Sequence, residues 1–272
     1  GTASAAAAPG GEPVRAGRLG AAFAIPSASS PSSKRALVIC PGRGSYNATE
    51  LGTFGRLDHR DSWQPLLDDA DAACAARGWH AVSTLDGLPK FSRTEHLDSA
   101  HSSVLTYTAA ACDYAARLAA AAAPAAAPPA AASPAAAPAW VPVGMCGNSL
   151  GWYTAVALSG AVSFGEGLNM VATTSGYQRD HPQVGGQLVY PTMGDEWQES
   201  EELNGAIAEA LAAAQRAGGY ASVSIELGGA TVLAADDTGM AALQASLPSL
   251  TRGRIKYPLV LPGHSAFHTP LM

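Results

Sequence analysis

Charge is scarce in this 272-residue chain. Asp, Glu, Lys and Arg make up 14% of it, aromatic residues 7%, and the balance is acidic, −6 at neutral pH. The 16 Lys and Arg residues are scattered. They form no basic run of the kind a phosphate backbone demands, so nucleic acid is not an expected partner. No uninterrupted apolar stretch reaches the roughly 20 residues that cross a bilayer. Leu118 to Ala139 comes nearest, but prolines at 124, 128, 129, 134 and 138 interrupt it, so no membrane association is expected. Only four cysteines occur: Cys40, Cys74, Cys112 and Cys146. None stands in a C-x-x-C pair or at metal-ligand spacing, so neither a disulfide framework nor a bound metal is expected. Buried free thiols fit a reducing compartment. Gly1–Gly11 lacks the positive n-region and apolar core of a secretory signal. Residues 1–33 read as a disordered leader or processing remnant. The expected location is cytoplasmic, or an organellar matrix if the leader is a trimmed targeting segment.

What the chain does have is hydrophobic content, 47%, ample for the core of one large domain or two small ones. It also has Gly147-Asn148-Ser149-Leu150-Gly151, a G-x-S-x-G turn. The apolar run Trp140 to Cys146 leads into the turn, and the helix-compatible run Trp152 to Leu158 leads out. Strand, sharp turn and helix are the context in which glycines let a serine hydroxyl project as a nucleophile. The N–H groups at the start of the following helix would then face a developing oxyanion. The bland alternative is a structural turn, and the flanking elements favour the nucleophile.

Ala36–Cys40 has strand length and ends in the Gly-rich loop Pro41-Gly42-Arg43-Gly44-Ser45. Asp61 or Ser62 is the expected cap of a helix through Trp63, Leu66, Leu67, Ala70 and Cys74, stopped by Gly78. Trp79 to Leu85 is expected to return as a strand, and His96 to about Ala121 as one long helix. The Ala/Pro tract 118–139 is low complexity and reads as a surface insertion. Ser163-Phe164-Gly165-Glu166 is a capping box that opens another helix. Beyond residue 180 the style changes. The pattern predicts a strand at Gly186–Pro191, a helix at Glu199–Ala217 and a hairpin of Ala221–Leu227 with Ala230–Ala235 around Gly228-Gly229. A helix at Met240–Leu247 and a last strand at Ile255–Leu261 complete it. The order β-α-β-β-α-β is that of a ferredoxin-like unit. The expected architecture is α/β, an α/β-hydrolase-like large subdomain over 34–179 with an inserted ferredoxin-like subdomain over 180–262. Residues 263–272 are expected to return to the large subdomain.

A nucleophilic serine needs a base. His268 follows the last predicted strand in Ser265-Ala266-Phe267-His268-Thr269-Pro270-Leu271-Met272, with His264 four residues earlier. Single histidines are mostly structural, but the position of His268 after the predicted insertion raises it above His59, His80, His96, His101 and His181.

Three blocks now stand in order. Pro41 to Ser45 resembles the PGQGS loop of the malonyl-CoA:acyl-carrier-protein transacylase family, which includes polyketide synthase acyltransferase domains. Gly147 to Ala155 resembles that family's GHSLGEYTA block, continuing through Gly160 to Phe164. Ala266 to Met272, AFHTPLM, resembles its AFHSPLM block. The resemblance implies ping-pong acyl transfer from acyl-CoA to an acyl carrier protein, with no cofactor. Ser149 would attack the thioester, and His268 would act as general base and then general acid. Backbone N–H groups of Leu150 and Arg43 would form the oxyanion hole. In this family a backbone carbonyl, not an acidic side chain, orients the histidine.

The departures from the family pattern are specific. Asn148 stands where the family has His, and Trp152 where it has Glu. Trp152 either reshapes the acyl pocket or packs on the nucleophile helix. The Arg that pairs with a malonyl carboxylate is replaced by Thr174, which cannot form a bidentate ion pair. Malonyl specificity is therefore not expected; a neutral acyl group, or a carboxylate held by Arg43 or Arg179, takes its place. Arg43 replaces the loop Gln, and His101 falls near the family's site-lining Gln. Family domains continue past the histidine block, so the C-terminal part of the family domain is missing from this chain. Either it is a fragment or another polypeptide completes it. Two other functions compete. An acyl-thioester hydrolase would use the same serine, with Asp236 or Asp237 as the acid that orders Ser…Asp…His. A non-catalytic structural homologue would have no need of both Ser149 and His268.

Overall fold

The computed structural model describes residues 34–122 and 140–272. The leader 1–33 and the Ala/Pro tract beyond residue 122 lie outside the described residues. The chain divides into two compact units, residues 1–179 and 180–272.

In the first unit, β1 (Lys34–Cys40) and β2 (Trp140–Gly147) pair in parallel, from Lys34 opposite Trp140 to Cys40 opposite Gly147. Around them run α1 (Thr53–Arg56), α2 (Arg60–Ala75), α3 (Val82–Asp86), α4 (Arg93–His96), α5 (Ser99–Ala122), α6 (Gly151–Leu158) and α7 (Phe164–Asp180). The core forms where Trp63, Leu66, Leu67 and Ala70 of α2 meet Leu105, Tyr107, Ala111 and Cys112 of α5. Burying a side chain such as Leu66 contributes about 2 kcal/mol. The hydroxyl of buried Tyr107 donates to the Phe164 carbonyl at 2.8 Å and ties α5 to α7. The capping box at the start of α7 is formed: Ser163 N–H donates to Glu166 at 2.7 Å, and Glu166 N–H donates to Ser163 Oγ at 3.2 Å.

Three sequence expectations differ here. The segment 79–85 is not a strand; its end forms the short helix α3. Val82 and Leu85, three residues apart, are both buried, a helical rather than an alternating pattern. Asp71 holds the turn, accepting from the N–H and hydroxyl of Ser83. The long helix expected from His96 is present as α5 but begins three residues later, at Ser99, because the Asp98 carboxylate caps it by accepting from Ala100 and His101 N–H. α2 begins at Arg60, ahead of Asp61 and Ser62, without a side-chain cap; Ser62 instead donates its hydroxyl to the His59 carbonyl.

The second unit runs β3 (Gly186–Pro191), α8 (Glu201–Arg216), β4 (Ala221–Glu226), β5 (Ala230–Ala235), α9 (Asp237–Ser246), β6 (Leu250–Arg252), β7 (Ile255–Tyr257) and β8 (Leu259–Val260). Four of these form one antiparallel sheet in the order β4-β5-β3-β8. Leu188, Tyr190 and Leu233 of the sheet pack with Ile207 and Ala210 of α8 and Leu243 of α9. Ser200 caps α8 through Leu203 N–H, and Asp236 caps α9 through Gly239 N–H. The single last strand expected over 255–261 is divided. Pro258 has no N–H to extend a ladder; β7 pairs back on β6, and the chain pairs with β3 from Leu259 on. Residues 263–272 fall in the second unit by contact.

Asp86 is the buried polar hub of the first unit, only 4% exposed. Its carboxylate accepts from Thr53 N–H, Phe54 N–H and the Tyr46 hydroxyl. Burial, and then this bond, push the Tyr46 phenol up. Asp86→Ala strands three donors, so urea denaturation should show a loss of about 3 kcal/mol; a loss below about 0.5 kcal/mol would contradict that role.

Candidate active site

Ser149 sits between β2 and α6 with φ 51°, in the left-handed region that a residue with a Cβ rarely adopts. The flanking glycines make this turn possible. A Cβ on Gly147 would collide with the Gly151 backbone, and a Cβ on Gly151 would collide with the Cys40 carbonyl and lie 2.9 Å from the Pro41 oxygen. A Cβ on Gly42 would lie 2.9 Å from the Asn148 carbonyl. Asn148 N–H donates to the Cys40 carbonyl at 3.3 Å. The Gly-rich loop after β1 and the serine turn after β2 are therefore in direct contact, a consequence of the parallel pairing that ends at Cys40 and Gly147. Ser149 and Leu150 are half-buried, and Asn148 is exposed.

Arg43 extends from that loop to α7, where its Nη1 donates to Gln178 Oε1 at 3.0 Å. Desolvation lowers its pKa to about 10, and the charge of Asp98 opposes the shift. The guanidinium remains protonated at neutral pH. Asp98 also faces Arg179, with Nε 3.8 Å away, and Arg179 lies over the Trp79 ring. Gln178 and Asp98 carry no motif, so sequence reading passes over them; the end of α7 and the cap of α5 bring them to Arg43. Cys40, beneath the turn, has its thiol pushed up to about 11, chiefly by burial.

His101 Nδ1 lies 3.9 Å from the Asp98 carboxylate, and Thr174 lies one helical turn before Gln178. Thr174 is exposed on α7, with its hydroxyl donated to the Met170 carbonyl at 2.9 Å. His101 is buried, with Nδ1 3.1 Å from the Glu95 carbonyl and Nε2 accepting from His80 N–H at 3.4 Å. Both of its ring nitrogens are engaged by backbone groups. Trp152, 55% exposed, borders an open hollow of about 300 Å³ with Val143, Met145 and Val156.

In the second unit, His268 is exposed at φ 59°. The segment before it is fastened to β3 and the residues leading into β3. Ala266 N–H donates to the Val184 carbonyl at 2.8 Å, and Gln183 Nε2 donates to the His264 carbonyl at 2.9 Å. Gln187, 2% exposed on β3, is central. It donates to the Phe267 carbonyl at 3.2 Å and to Ser224 Oγ at 2.8 Å, and accepts from His264 Nδ1 at 2.9 Å. Its sequence signal is a carboxamide beside Leu188 in an otherwise apolar strand. Asp236 is engaged by Gly239 N–H and Tyr220 N–H, so its carboxylate caps α9. Among the described residues no group of three or more His, Cys, Asp or Glu is arranged to hold a metal ion, and no helix is long and apolar enough to cross a membrane.

No family model matches the chain, and no curated protein matches it. Solved structures do. The acyl-carrier-protein S-malonyltransferase of Burkholderia pseudomallei 1710b is similar at 22% identity and TM-score 0.57, over 88% of this chain and 66% of that one. The malonyl-CoA:ACP transacylase of Synechocystis sp. PCC 6803 is similar at 16% identity and TM-score 0.55, over 88% and 65%. A malonyl-transacylase in complex with its type II PKS acyl-carrier protein gives 18% and 0.53, over 88% and 66%. The chain thus spans just under two-thirds of the length of these structures and has their mixed α/β fold.

Two substitutions test the local geometry. Gly151→Ala forces a methyl group into the Cys40 carbonyl and should cost at least about 2 kcal/mol in urea denaturation. Gln187→Leu removes the carboxamide's bonds to His264, Ser224 and the Phe267 carbonyl, with an expected loss of about 2 kcal/mol. Parental stability in either variant would show that the corresponding contact is not required.

Proposed function

We propose that this chain transfers an acyl group from an acyl-CoA to the phosphopantetheine thiol of a carrier protein, through an ester on Ser149. The observation that carries the proposal is the built nucleophile turn. Ser149 is held at positive φ between two glycines that admit no Cβ, against the loop that ends β1. A strained residue of this kind is characteristic of a functional site. The transacylase fold of the matched structures supports the choice of reaction.

In the proposed cycle, Ser149 Oγ attacks the thioester carbonyl and His268 accepts its proton as general base. Backbone N–H groups of Leu150 and Arg43 stabilise the oxyanion. Collapse expels the CoA thiolate, which takes the proton from His268. The carrier thiol then attacks the Ser149 ester, with His268 removing the thiol proton and returning it to Ser149. The βαββαβ order of the second unit, with its sheet order β4-β5-β3-β8, is read as the ferredoxin-like subdomain that carries His268. With a back-bonded threonine at 174 and Arg43 anchored on Gln178, we assign a neutral acyl group as the preferred substrate.

Intact-mass analysis after exposure to acetyl-, longer-chain and malonyl-CoA tests this. A single acyl adduct should form, and Ser149→Ala should abolish it. His268→Ala should slow its formation by about 10²-fold or more. Acetyl labelling should exceed malonyl labelling; the reverse would overturn the assignment of a neutral acyl group. Absence of an adduct with every acyl-CoA would overturn the reaction itself. Release of free acid in preference to carrier acylation would make the protein a hydrolase.

A further inference from the structure

His268 stands at φ 59°, a conformation that a residue with a Cβ holds only when its surroundings impose it. Two side chains converge on the carbonyl just before it. Gln187 Nε2 donates to the Phe267 oxygen at 3.2 Å, and Ser224 Oγ donates to it at 3.0 Å. Both lone pairs of that oxygen are used. On the other side of His268, Thr269 Oγ1 donates to the Ala266 carbonyl at 2.6 Å. The polarity of the network follows from its acceptor. A carbonyl only accepts, so the amide nitrogen of Gln187 faces Phe267. The second hydrogen of that nitrogen goes to Ser224 Oγ at 2.8 Å, and the Ser224 hydrogen goes to Phe267. Gln187 Oε1 then accepts from His264 Nδ1, 2.9 Å away. A flipped Gln187 amide would set donor against donor at His264 and acceptor against acceptor at Phe267, so one orientation is fixed.

The sheet brings these groups together in two ways. β5 lies between β3 and β4. Gln187 on β3 is in register with Ala234 on β5, and Ala234 with Ser222 on β4, so the three share one face. The small side chain of buried Ala234 leaves the span over β5 open to the long Gln187 side chain. Ser224 is then presented by an irregularity in β4. The ladder pairs Val223 with Leu233 and Ile225 with Val232, so Ser224 is the extra residue of a bulge. A bulge re-aims a side chain, and this one turns a hydroxyl toward Phe267. Neither Gln187 nor Ser224 lies in any of the three blocks that resemble the transacylase family.

We infer that Gln187 and Ser224 are positioning residues for the general base: they fix the Phe267–His268 peptide and so the direction in which the His268 side chain leaves the backbone. The inference rests on the acyl-transfer reading for the role of His268. Tethering alone does not call for this arrangement. The segment is already tied down by Ala266 N–H on the Val184 carbonyl at 2.8 Å and by Gln183 on the His264 carbonyl at 2.9 Å. What the two further bonds add is the rotation of one peptide plane, because two donors from different directions meet a single oxygen. That plane sets the backbone from which the imidazole projects. A base displaced by about 1 Å can lose about 10²-fold in rate.

The test follows Ser149 acylation by acetyl-CoA in single turnovers by intact mass, in Gln187→Leu, Ser224→Ala and Ser224→Thr, each with and without His268→Ala. Gln187→Leu should slow acylation at least about 10-fold and Ser224→Ala at least about 3-fold, with the acetyl-CoA concentration for half-maximal rate unchanged. Ser224→Thr keeps the hydroxyl and should restore most of the rate. In the His268→Ala background the same changes should alter the rate by less than about 2-fold, because a positioning residue acts only through the group it positions. Equal slowing in both backgrounds would make the role merely structural and overturn the inference. Ser224→Ala is the milder change and carries the test if Gln187→Leu does not fold. Hydrogen exchange supplies a readout independent of the chemistry: residues 264–270 should exchange at least about 10-fold faster in Ser224→Ala, with β3 and β5 unchanged. Parental exchange there overturns the inference, as does a parental acylation rate in Ser224→Ala, which would leave the acyl-transfer reading intact. Faster exchange over 264–270 with no Ser149 acylation in the parent would leave the seat of the segment standing and overturn the acyl-transfer reading.

Discussion

Gly151 rests against the carbonyl of Cys40 because it has no Cβ, and much of the first unit's chemistry depends on that contact. It lets α6 begin immediately beside the end of β1 and forces the chain between β2 and α6 into a turn so sharp that Ser149 takes φ 51°. The same approach brings the Pro41–Gly42 loop onto Asn148. A methyl group at 42, 147 or 151 would separate the two strand ends or flatten the turn. The parallel pairing of β1 with β2 is what places both ends at one level, since Cys40 and Gly147 are partners in register.

From that contact outward, side chains extend the arrangement to α5 and α7. Arg43 spans from the loop to Gln178, and Asp98 caps α5 while facing Arg179. A cation drawn partly out of water is kept charged because its neighbours are an amide oxygen and a carboxylate. In the second unit the comparable device is neutral. Gln187 uses both ends of its carboxamide to fasten the segment leading to His268, so that segment is held by hydrogen bonds rather than by an apolar core. A buried amide with three partners is costly to disturb, because removing it breaks three hydrogen bonds at once.

The motifs of short range were legible. The G-x-S-x-G turn, the Ser163–Glu166 capping box, the Gly228-Gly229 hairpin and the strand Gly186–Pro191 rest on residues close in sequence, where glycine geometry and cap chemistry act locally. The misread segments have distant causes. Residues 79–85 carry strand-forming Trp79, Val82 and Thr84, but Asp71, a dozen residues back, claims Ser83 and turns its end into a helix. The last strand looked continuous over 255–261 because alternation does not reveal that β7 pairs with β6 and only β8 with β3. His101 stood out because the resemblance places it near a site-lining Gln; its two ring nitrogens are taken by backbone groups of Glu95 and His80.

The sequence by itself determined a sharp turn at Ser149 between a strand and a helix, since the glycine spacing there permits close backbone approach. It also determined an acidic, mostly apolar chain with few thiols. Only the tertiary structure decided the neighbours: that Arg43 would lie on Gln178, and that Gln187 would hold the histidine segment. Those pairings join residues far apart along the chain. Their free energy depends on which elements fold beside each other, and no local pattern encodes that.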